Sequence, residues 1–338
     1  MRRQAILLLM LCAMCRAQAP APSQAPEASD QAVTTLRVTT RVVEISAVVT
    51  SKTGETQGGM AKDDFVLLDD GKEKAIRYFS QGSDLPLTLA LMVDTSESQR
   101  TFIGDESEAG IVFVESMLQR PEDRATVVRF DSTVSQIGTL THSVEALRLA
   151  LSTLDSSSRY QARPAPGAKG KQASGGGTLL NDAIDVTAKR LLAGQTGRKA
   201  MVILTDGCDF GSRTTLAQAI EQAERAEVQI YSILYTTFTG TNATNGFSCD
   251  GLTPGLGNPG LHVLQDLSSS TGGRVYSVSP SLSLREIFAQ IGEQLRLEYE
   301  LGYTPDSDIK PNSYHKLELK VRDRKLVVQA RKGYFAAP

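Results

Sequence analysis

LALMVDTSES, residues 89–98, is an apolar run that stops at Asp94 and is followed by Ser96 and Ser98. A nearly continuous apolar run is typical of a strand that is buried on both faces of a sheet. The polar residues at alternate positions after it therefore belong to a loop at the carboxyl end of that strand. Taken alone, Asp94–Ser98 is also consistent with a cluster that caps the next helix.

A second apolar strand, KAMVILTD (199–206), also ends in an acid, and a glycine-rich turn in SGGGTLLNDA (174–183) precedes another helix. Ligand sites of open α/β sheets lie at the carboxyl ends of the parallel strands. Donors that carry only oxygen suit hard cations, Mg²⁺ most naturally, with Mn²⁺ or Ca²⁺ as alternatives. The predicted metal ligands are Asp94, Ser96, Ser98, Thr178 and Asp206.

Strands alternate with helices from 85 to 297, which predicts an α/β, doubly wound and mostly parallel sheet. The segments 34–82 and 298–338 read as short strands, with an Asp70–Gly71 turn in the first and a hairpin around Arg322–Lys325 in the second. We expect the two segments to form one small all-β sandwich into which the α/β domain is inserted. Two independent β-hairpin units are the alternative.

The amino-terminal segment has the features of a secretory signal: a basic MRRQ, the apolar AILLLMLCAMC (5–15) and small residues beyond it. We expect residues 1–17 to be removed, and 18–33, rich in Pro, Ala and Ser, to be a disordered linker. A lipoprotein signal fits less well, because Leu11 and Met14 precede Cys12 and Cys15. The chain is predicted to be secreted, periplasmic or in the cell envelope, without a transmembrane segment after signal removal.

The order DTSES, GGT, TDG on these predicted elements resembles the von Willebrand factor type A (vWA) domain, over about 85–297. The resemblance implies a metal ion-dependent adhesion site. It implies that Ser96 and Ser98 bind the ion directly, that Thr178 and Asp206 exchange direct and water-mediated roles, and that Asp94 orients serines and waters. It also implies that the two strands ending in Asp lie side by side.

The whole chain is similar to the secreted vWA-related proteins abundant in Acidobacteria, through DFVLLDDGK, GRKAMVILTDG, TGGRVY, YELGYTP and KGYF. This narrower resemblance supports the architecture and identifies no ligand. Many vWA domains have Gly between the two serines, where this chain has Glu97. The Glu97 carboxylate either fills the open coordination position or faces solvent, and we favour solvent.

These observations predict a non-enzymatic interaction protein that captures an exposed Asp or Glu of a protein partner at a divalent cation. A nucleic-acid partner is disfavoured by the formal net charge of −2 and the mixed charges along the chain. A metal-dependent hydrolase of the dehalogenase type is the alternative from another class, but it needs an acid where Ser96 stands. A vWA scaffold with a non-functional metal site is the third hypothesis. His142, His262 and His315 are scattered and are interpreted as surface or turn residues.

Cys208 and Cys249 remain after signal removal, in a compartment that permits disulfides. The vWA strand order implies that the strands preceding them are neighbours, so a Cys208–Cys249 disulfide is expected. Two unpaired thiols are the alternative.

Overall fold

The structure is a computed structural model, and it describes residues 42–82, 85–157, 177–235 and 259–336. The predicted signal (1–17), the predicted linker (18–33) and Cys249 lie outside the described residues. The chain divides into two units, 1–40 and 41–338, and the architecture below is that of the second unit.

A six-stranded sheet forms the centre of the α/β region, in the order β10-β9-β8-β5-β6-β7. Neighbouring strands are parallel except for the β6–β7 pair, which is antiparallel. The strands are β5 (Leu87–Asp94), β6 (Arg124–Phe130), β7 (Val134–Thr141), β8 (Arg198–Thr205), β9 (Val228–Leu234) and β10 (Val275–Ser277). Thus the predicted mostly parallel sheet is confirmed, and β5 and β8 are adjacent, as the resemblance implied.

Helices cover both faces of this sheet. Alternate residues of β5 pack into the apolar core on one face or on the other. Leu89, Leu91 and Val93 pack with α1 (Ile103–Met117), α2 (Val144–Ser157) and α6 (Leu284–Arg296). Ala90 and Met92 pack on the other face with α3 (Leu180–Val186), α4 (Leu216–Arg225) and α5 (Pro259–Thr271). A π-helical segment, Thr187–Leu192, continues α3. Burial on both faces is why the β5 sequence is almost entirely apolar.

Two four-stranded antiparallel sheets, of order β13-β1-β11-β4 and β14-β12-β2-β3, account for the flanking segments. Each sheet takes strands from both sides of the α/β region, and residues of both sheets share one apolar core. The strands are β1 (Val43–Ser51), β2 (Phe65–Asp69), β3 (Lys72–Lys74), β4 (Tyr78–Gln81), β11 (Tyr299–Tyr303), β12 (Tyr314–Val321), β13 (Leu326–Ala330) and β14 (Gly333–Phe335).

The first turn of these sheets was predicted correctly, and the second was not. Asp70 and Gly71 have φ values of 48° and 79° and join β2 to β3, the conformation that an Asp-Gly turn provides. The predicted hairpin around Arg322–Lys325 is wrong, because β12 pairs with β2 whereas β13 pairs with β1. The chain crosses between the sheets here, and β13 covers an edge of β1 that a hairpin would leave open.

The α/β region begins and ends at neighbouring points. The backbone amide of Gly82, just after β4, donates to the carbonyl of Glu298 just before β11, at 3.0 Å. The connection that enters the α/β region and the one that leaves it are therefore side by side.

Buried acids lie where α6 leads into β11, against the amino-terminal ends of β8 and β9. Arg198 Nη1 is 3.8 Å from Glu298 Oε2, and Gln229 donates to the other oxygen of Glu298. Ser46 donates to Glu300 at 3.0 Å. Burial raises the pKa of both Glu298 and Glu300, and the charge of Arg198 opposes that rise. We call Arg198, Glu298 and Glu300 the junction cluster.

Candidate metal site at the carboxyl ends of the central strands

The adjacency of β5 and β8 brings their carboxyl-terminal acids to one edge of the sheet. Val93 is in register with Leu204, so Asp94 is level with Thr205 and Asp206 follows one residue further along the neighbouring strand. The loop after β5 folds back over this edge and carries Ser96 and Ser98. The site therefore follows from strand order and from where the apolar runs stop.

Asp94 is the buried base of the site, with no exposed surface. Its Oδ1 accepts the backbone amide of Ser96 at 2.9 Å, and its Oδ2 accepts the Thr205 hydroxyl at 2.6 Å. Burial raises the pKa of Asp94 to about 7, and the nearby charge of Asp206 also raises it. Both carboxylate oxygens are thus held by the loop and by β8, which suits a residue that positions others.

A chain of hydroxyls leads from this base to the surface. Ser96 Oγ lies 3.2 Å from Ser98 Oγ, and Ser98 Oγ donates to Asp206 Oδ2 at 2.8 Å. The other oxygen of Asp206 accepts the amide of Cys208 at 3.0 Å. Ser96 is buried whereas Ser98 is exposed, so the donors rise from the core towards solvent.

Backbone contacts join Thr178 to the loop after β8. Its amide donates to the carbonyl of Phe210 at 3.1 Å, and its carbonyl accepts the Phe210 amide at 2.8 Å. Thr178 is buried, directly before α3. This bridge joins the glycine-rich turn to the loop after β8, at a residue four positions beyond Asp206.

Asp131, which the sequence analysis missed, ties three loops of this edge together. Its Oδ2 accepts the hydroxyl of Thr95 at 3.0 Å, and its Oδ1 accepts the amide of Thr133 at 2.8 Å. Its carbonyl accepts the amide of Leu179 at 2.8 Å, next to Thr178. The available signal was the segment RFDST (129–133), a third strand that ends in an acid followed by hydroxyls.

Glu106 is a second missed residue, buried completely in α1 behind the site. Neither of its carboxylate oxygens has a hydrogen-bond partner among the described residues. Burial raises its pKa well above the ordinary value, and the charge of Asp94 adds to the rise. Glu106 lies in the polar segment GDESEAG (104–110), which gives no sign in the sequence that this acid is buried.

Glu97 faces solvent, the alternative that the sequence analysis favoured. Its side chain is 78% exposed, and its Oε1 lies 3.6 Å from Nη1 of Arg100. The carboxylate therefore contributes to the rim of the site.

Cys208, two residues after Asp206, is disulfide-bonded. Its expected partner, Cys249, lies outside the described residues, so the Cys208–Cys249 pairing stays a prediction.

The donor set fits a hard divalent cation. Hydroxyl oxygens and carboxylates are the ligands that Mg²⁺ and Ca²⁺ prefer. A buried carboxylate whose pKa is raised by burial and by a second carboxylate is an environment that a cation would relieve. Ser96, Ser98 and Asp206 would hold such an ion, with Asp94 behind them.

Residues 89–209 match the family model of the von Willebrand factor type A domain. This range contains every predicted ligand, from Asp94 to Asp206. The chain therefore contains a vWA domain. The narrower resemblance to the Acidobacteria proteins stays a prediction.

Among curated proteins, the human collagen alpha-1(VI) chain is 25% identical over 183 residues. The match covers 54% of this chain and 17% of that protein, so this chain spans less than a fifth of the relative's length.

Similar solved structures include a von Willebrand factor type A protein of Catenulispora acidiphila, at 13% identity and a TM-score of 0.45, covering 89% of this chain and 75% of that one. The vWF domain of the type V pili tip protein Mfa5 of Porphyromonas gingivalis has 12% identity and a TM-score of 0.42, covering 62% and 94%. The pilus adhesin SpaC of Lactobacillus rhamnosus GG has 10% identity and a TM-score of 0.42, covering 81% and 47%. With TM-scores below 0.5, these similarities carry no functional information for this chain.

No helix in the described ranges combines the length and the apolar character needed to cross a membrane.

Proposed function

We propose that this chain is a metal-dependent protein-binding module, and that its vWA domain captures an acidic side chain of a protein partner. The observation that carries the proposal is the series of oxygen donors Asp94, Ser96, Ser98 and Asp206, joined by contacts of 2.8–3.2 Å. We propose Thr178 as a fifth ligand, on the resemblance and on its place beside the loop after β8.

Mg²⁺ is the proposed ion, with Mn²⁺ or Ca²⁺ as alternatives. It would supply an electrophilic centre that the chain's own donors do not saturate, because most of them are neutral hydroxyls. The chain's residues hold the ion and orient its ligands: Asp94 receives the loop amide of Ser96, and Ser98 donates to Asp206. Since Ser98 is exposed, an Asp or Glu of a partner can approach from solvent.

We propose a non-enzymatic role. The hydrolase alternative needs a second acid two residues after Asp94, where the chain has Ser96. A vWA scaffold with a non-functional metal site is the remaining alternative, and the experiment below distinguishes it.

We propose that the protein is exported, to the medium, the periplasm or the cell envelope, on the basis of the signal sequence at 1–17. The same proposal includes a vWA domain, 85–297, inserted between the two halves of the sandwich, 34–82 and 298–338.

The test is a Mg²⁺ titration by calorimetry, followed by a magnesium-dependent pull-down from the envelope and medium of the source organism. Asp94→Asn keeps the size of the buried side chain and removes its charge, and Ser98→Ala removes one exposed donor. Both variants should lose Mg²⁺ binding and partner capture while keeping the circular dichroism spectrum of the wild type. Equal Mg²⁺ binding by wild type and both variants would contradict the proposal. Wild-type protein that binds no cation would favour the scaffold alternative.

A further inference from the structure

A second group of cation ligands lies in the β-sandwich, at the turn between β2 and β3. Asp69, Asp70 and His315 each present one ligand atom, and these atoms lie within 4.8 Å of one another. The sequence analysis interpreted His315 as a surface residue. The structure instead places it beside two consecutive acids, with its side chain only 14% exposed.

Asp69 brings a buried carboxylate oxygen without a partner. The residue is 4% exposed, and its Oδ2 accepts the hydroxyl of Tyr303 at 2.8 Å. Burial raises the pKa of Tyr303, so this hydroxyl remains a donor. Asp69 Oδ1 has no hydrogen-bond partner among the described residues, and it lies 3.8 Å from His315 Nδ1. A buried oxygen in this state needs a compensating group.

Asp70 supplies an ionised carboxylate on the solvent side. Its Oδ1 accepts the backbone amide of Lys316 at 2.9 Å, and this hydrogen bond lowers the pKa of Asp70. Its Oδ2 lies 2.8 Å from His315 Nδ1. Two carboxylate oxygens, one from each acid, therefore face the same ring nitrogen.

Ser313 holds the far side of the His315 ring. Its hydroxyl lies 2.5 Å from the carbonyl of Lys310 and 2.7 Å from His315 Nε2. A hydroxyl that donates to the carbonyl accepts from Nε2, and this neutral tautomer leaves the Nδ1 lone pair directed at the two carboxylates. In that tautomer the three electron-rich atoms can share one divalent cation.

The spacing is compatible with a small divalent cation. Bonds of about 2.1 Å place neighbouring ligand atoms roughly 3.0–3.4 Å apart, and the observed separations of 2.8 and 3.8 Å lie on either side of that range. The ring nitrogen opposite a metal commonly donates to a fixed acceptor, and the Ser313 hydroxyl lies 2.7 Å from His315 Nε2, where it can serve as that acceptor. One imidazole and two carboxylates suit Zn²⁺ or Mn²⁺ better than Mg²⁺.

We propose that Asp69, Asp70 and His315 form a second divalent-cation site, in the sandwich and separate from the vWA site, selective for Zn²⁺ or Mn²⁺. The cleft at this point is also lined by Asp306 and Asp308, so the ion keeps an open side towards solvent.

The experiment uses the chain without a histidine tag, with Asp94→Asn in every variant so that the vWA site does not contribute. Calorimetry with ZnCl₂ and MnCl₂ should show one equivalent bound by Asp94→Asn. Adding His315→Gln should weaken Zn²⁺ binding by at least about tenfold. The matched control, His142→Gln, removes a histidine that lies outside the cluster and should leave the affinity unchanged.

Asp70→Asn provides a second variant if His315→Gln does not fold, because its side chain is 52% exposed. It should also weaken Zn²⁺ binding by at least about tenfold. Equal Zn²⁺ affinity in the presence and absence of either substitution would overturn the proposal. So would the failure of Asp94→Asn to bind Zn²⁺ or Mn²⁺ at neutral pH. Loss of Mg²⁺ binding at the vWA site has no bearing on these outcomes.

Discussion

Acidic clusters occupy both ends of the central strands, and they differ in where their positive charge comes from. At the amino-terminal ends, the junction cluster contains its own cation, since Arg198 lies 3.8 Å from Glu298. At the carboxyl ends, the charge that acts on Asp94 is that of another carboxylate, Asp206. The first cluster is completed by the chain itself, whereas we propose that the second receives its cation from solution. This difference is a physical reason to regard one cluster as structural and the other as a binding site.

The largest expected effect comes from breaking the junction pair. Arg198→Met should lower the free energy of unfolding by about 3 kcal/mol, because it leaves Glu298 buried without its partner. Chemical denaturation measures this change. The double variant Arg198→Met, Glu298→Met should recover much of the loss, and no recovery would mean that the two side chains act independently.

Mg²⁺ should stabilise the protein through the carboxyl-end cluster alone. At a free concentration 100 times its dissociation constant, the ion should raise the free energy of unfolding by about 2.7 kcal/mol. Thermal or chemical denaturation with and without Mg²⁺ measures the increment. It should vanish in Asp206→Asn and persist in Arg198→Met. A similar increment in both variants would show that the ion acts elsewhere.

The two clusters should also respond differently to pH. A carboxyl whose pKa is raised in the folded state binds a proton there that the unfolded chain has released, so stability falls as pH rises between the two values. The pKa of Asp94 is about 7 in the folded protein, against an ordinary value of 3.8. Asp94 should therefore destabilise the metal-free protein as pH rises from about 4 to 7. The slope is at most about 1.4 kcal/mol per pH unit for one group. Mg²⁺ should flatten this part of the profile.

Glu298 has a raised pKa for the same reason, so its contribution has the same sign. Glu298→Gln should remove the contribution of Glu298 to the pH dependence of stability, both with and without Mg²⁺. Unfolding curves across pH 5–8 separate the two contributions. If the stability of the Asp94→Asn variant depended on pH in the same way as that of the metal-free wild type, the contribution assigned to Asp94 would be refuted.

The smallest expected effect is at Glu97. Because its side chain is exposed and its contact with Arg100 is a surface ion pair, Glu97→Ala should change stability by less than about 1 kcal/mol. Mg²⁺ affinity and partner affinity should also stay within twofold. A clear gain in partner affinity would indicate that Glu97 competes for the open coordination position.

The sequence was sufficient where burial imposes a pattern. Strands such as β5 and β8 are largely apolar because both faces are covered. The end of each apolar run therefore marks the end of the strand in the sequence, and with it the positions of Asp94 and Asp206. The sequence does not show which sheet contains β13, because the apolar side chains of Leu326 and Val328 fit either a hairpin with β12 or pairing with the edge of β1.

Residues that act through tertiary contacts were also missed. Glu106 lies in a segment rich in polar residues, and only the packing of α1 against the sheet buries it. Asp131 and His315 gain their importance from residues far away in the chain, such as Thr95 and Asp69. Contacts between residues that are far apart in the chain leave no local pattern in the sequence.

The hydrogen bond between Gly82 and Glu298 has a consequence for folding. Ala47 of β1 pairs with Tyr299 of β11, so the sandwich closes across the entire α/β region. The entropy lost on closing a loop grows with the length of flexible chain between its ends. Once the α/β region has folded, its two ends are 3.0 Å apart at this bond, and β4 and β11 are then held as if joined by a short turn. The α/β region should therefore fold first, and its folding rate should limit the formation of the sandwich.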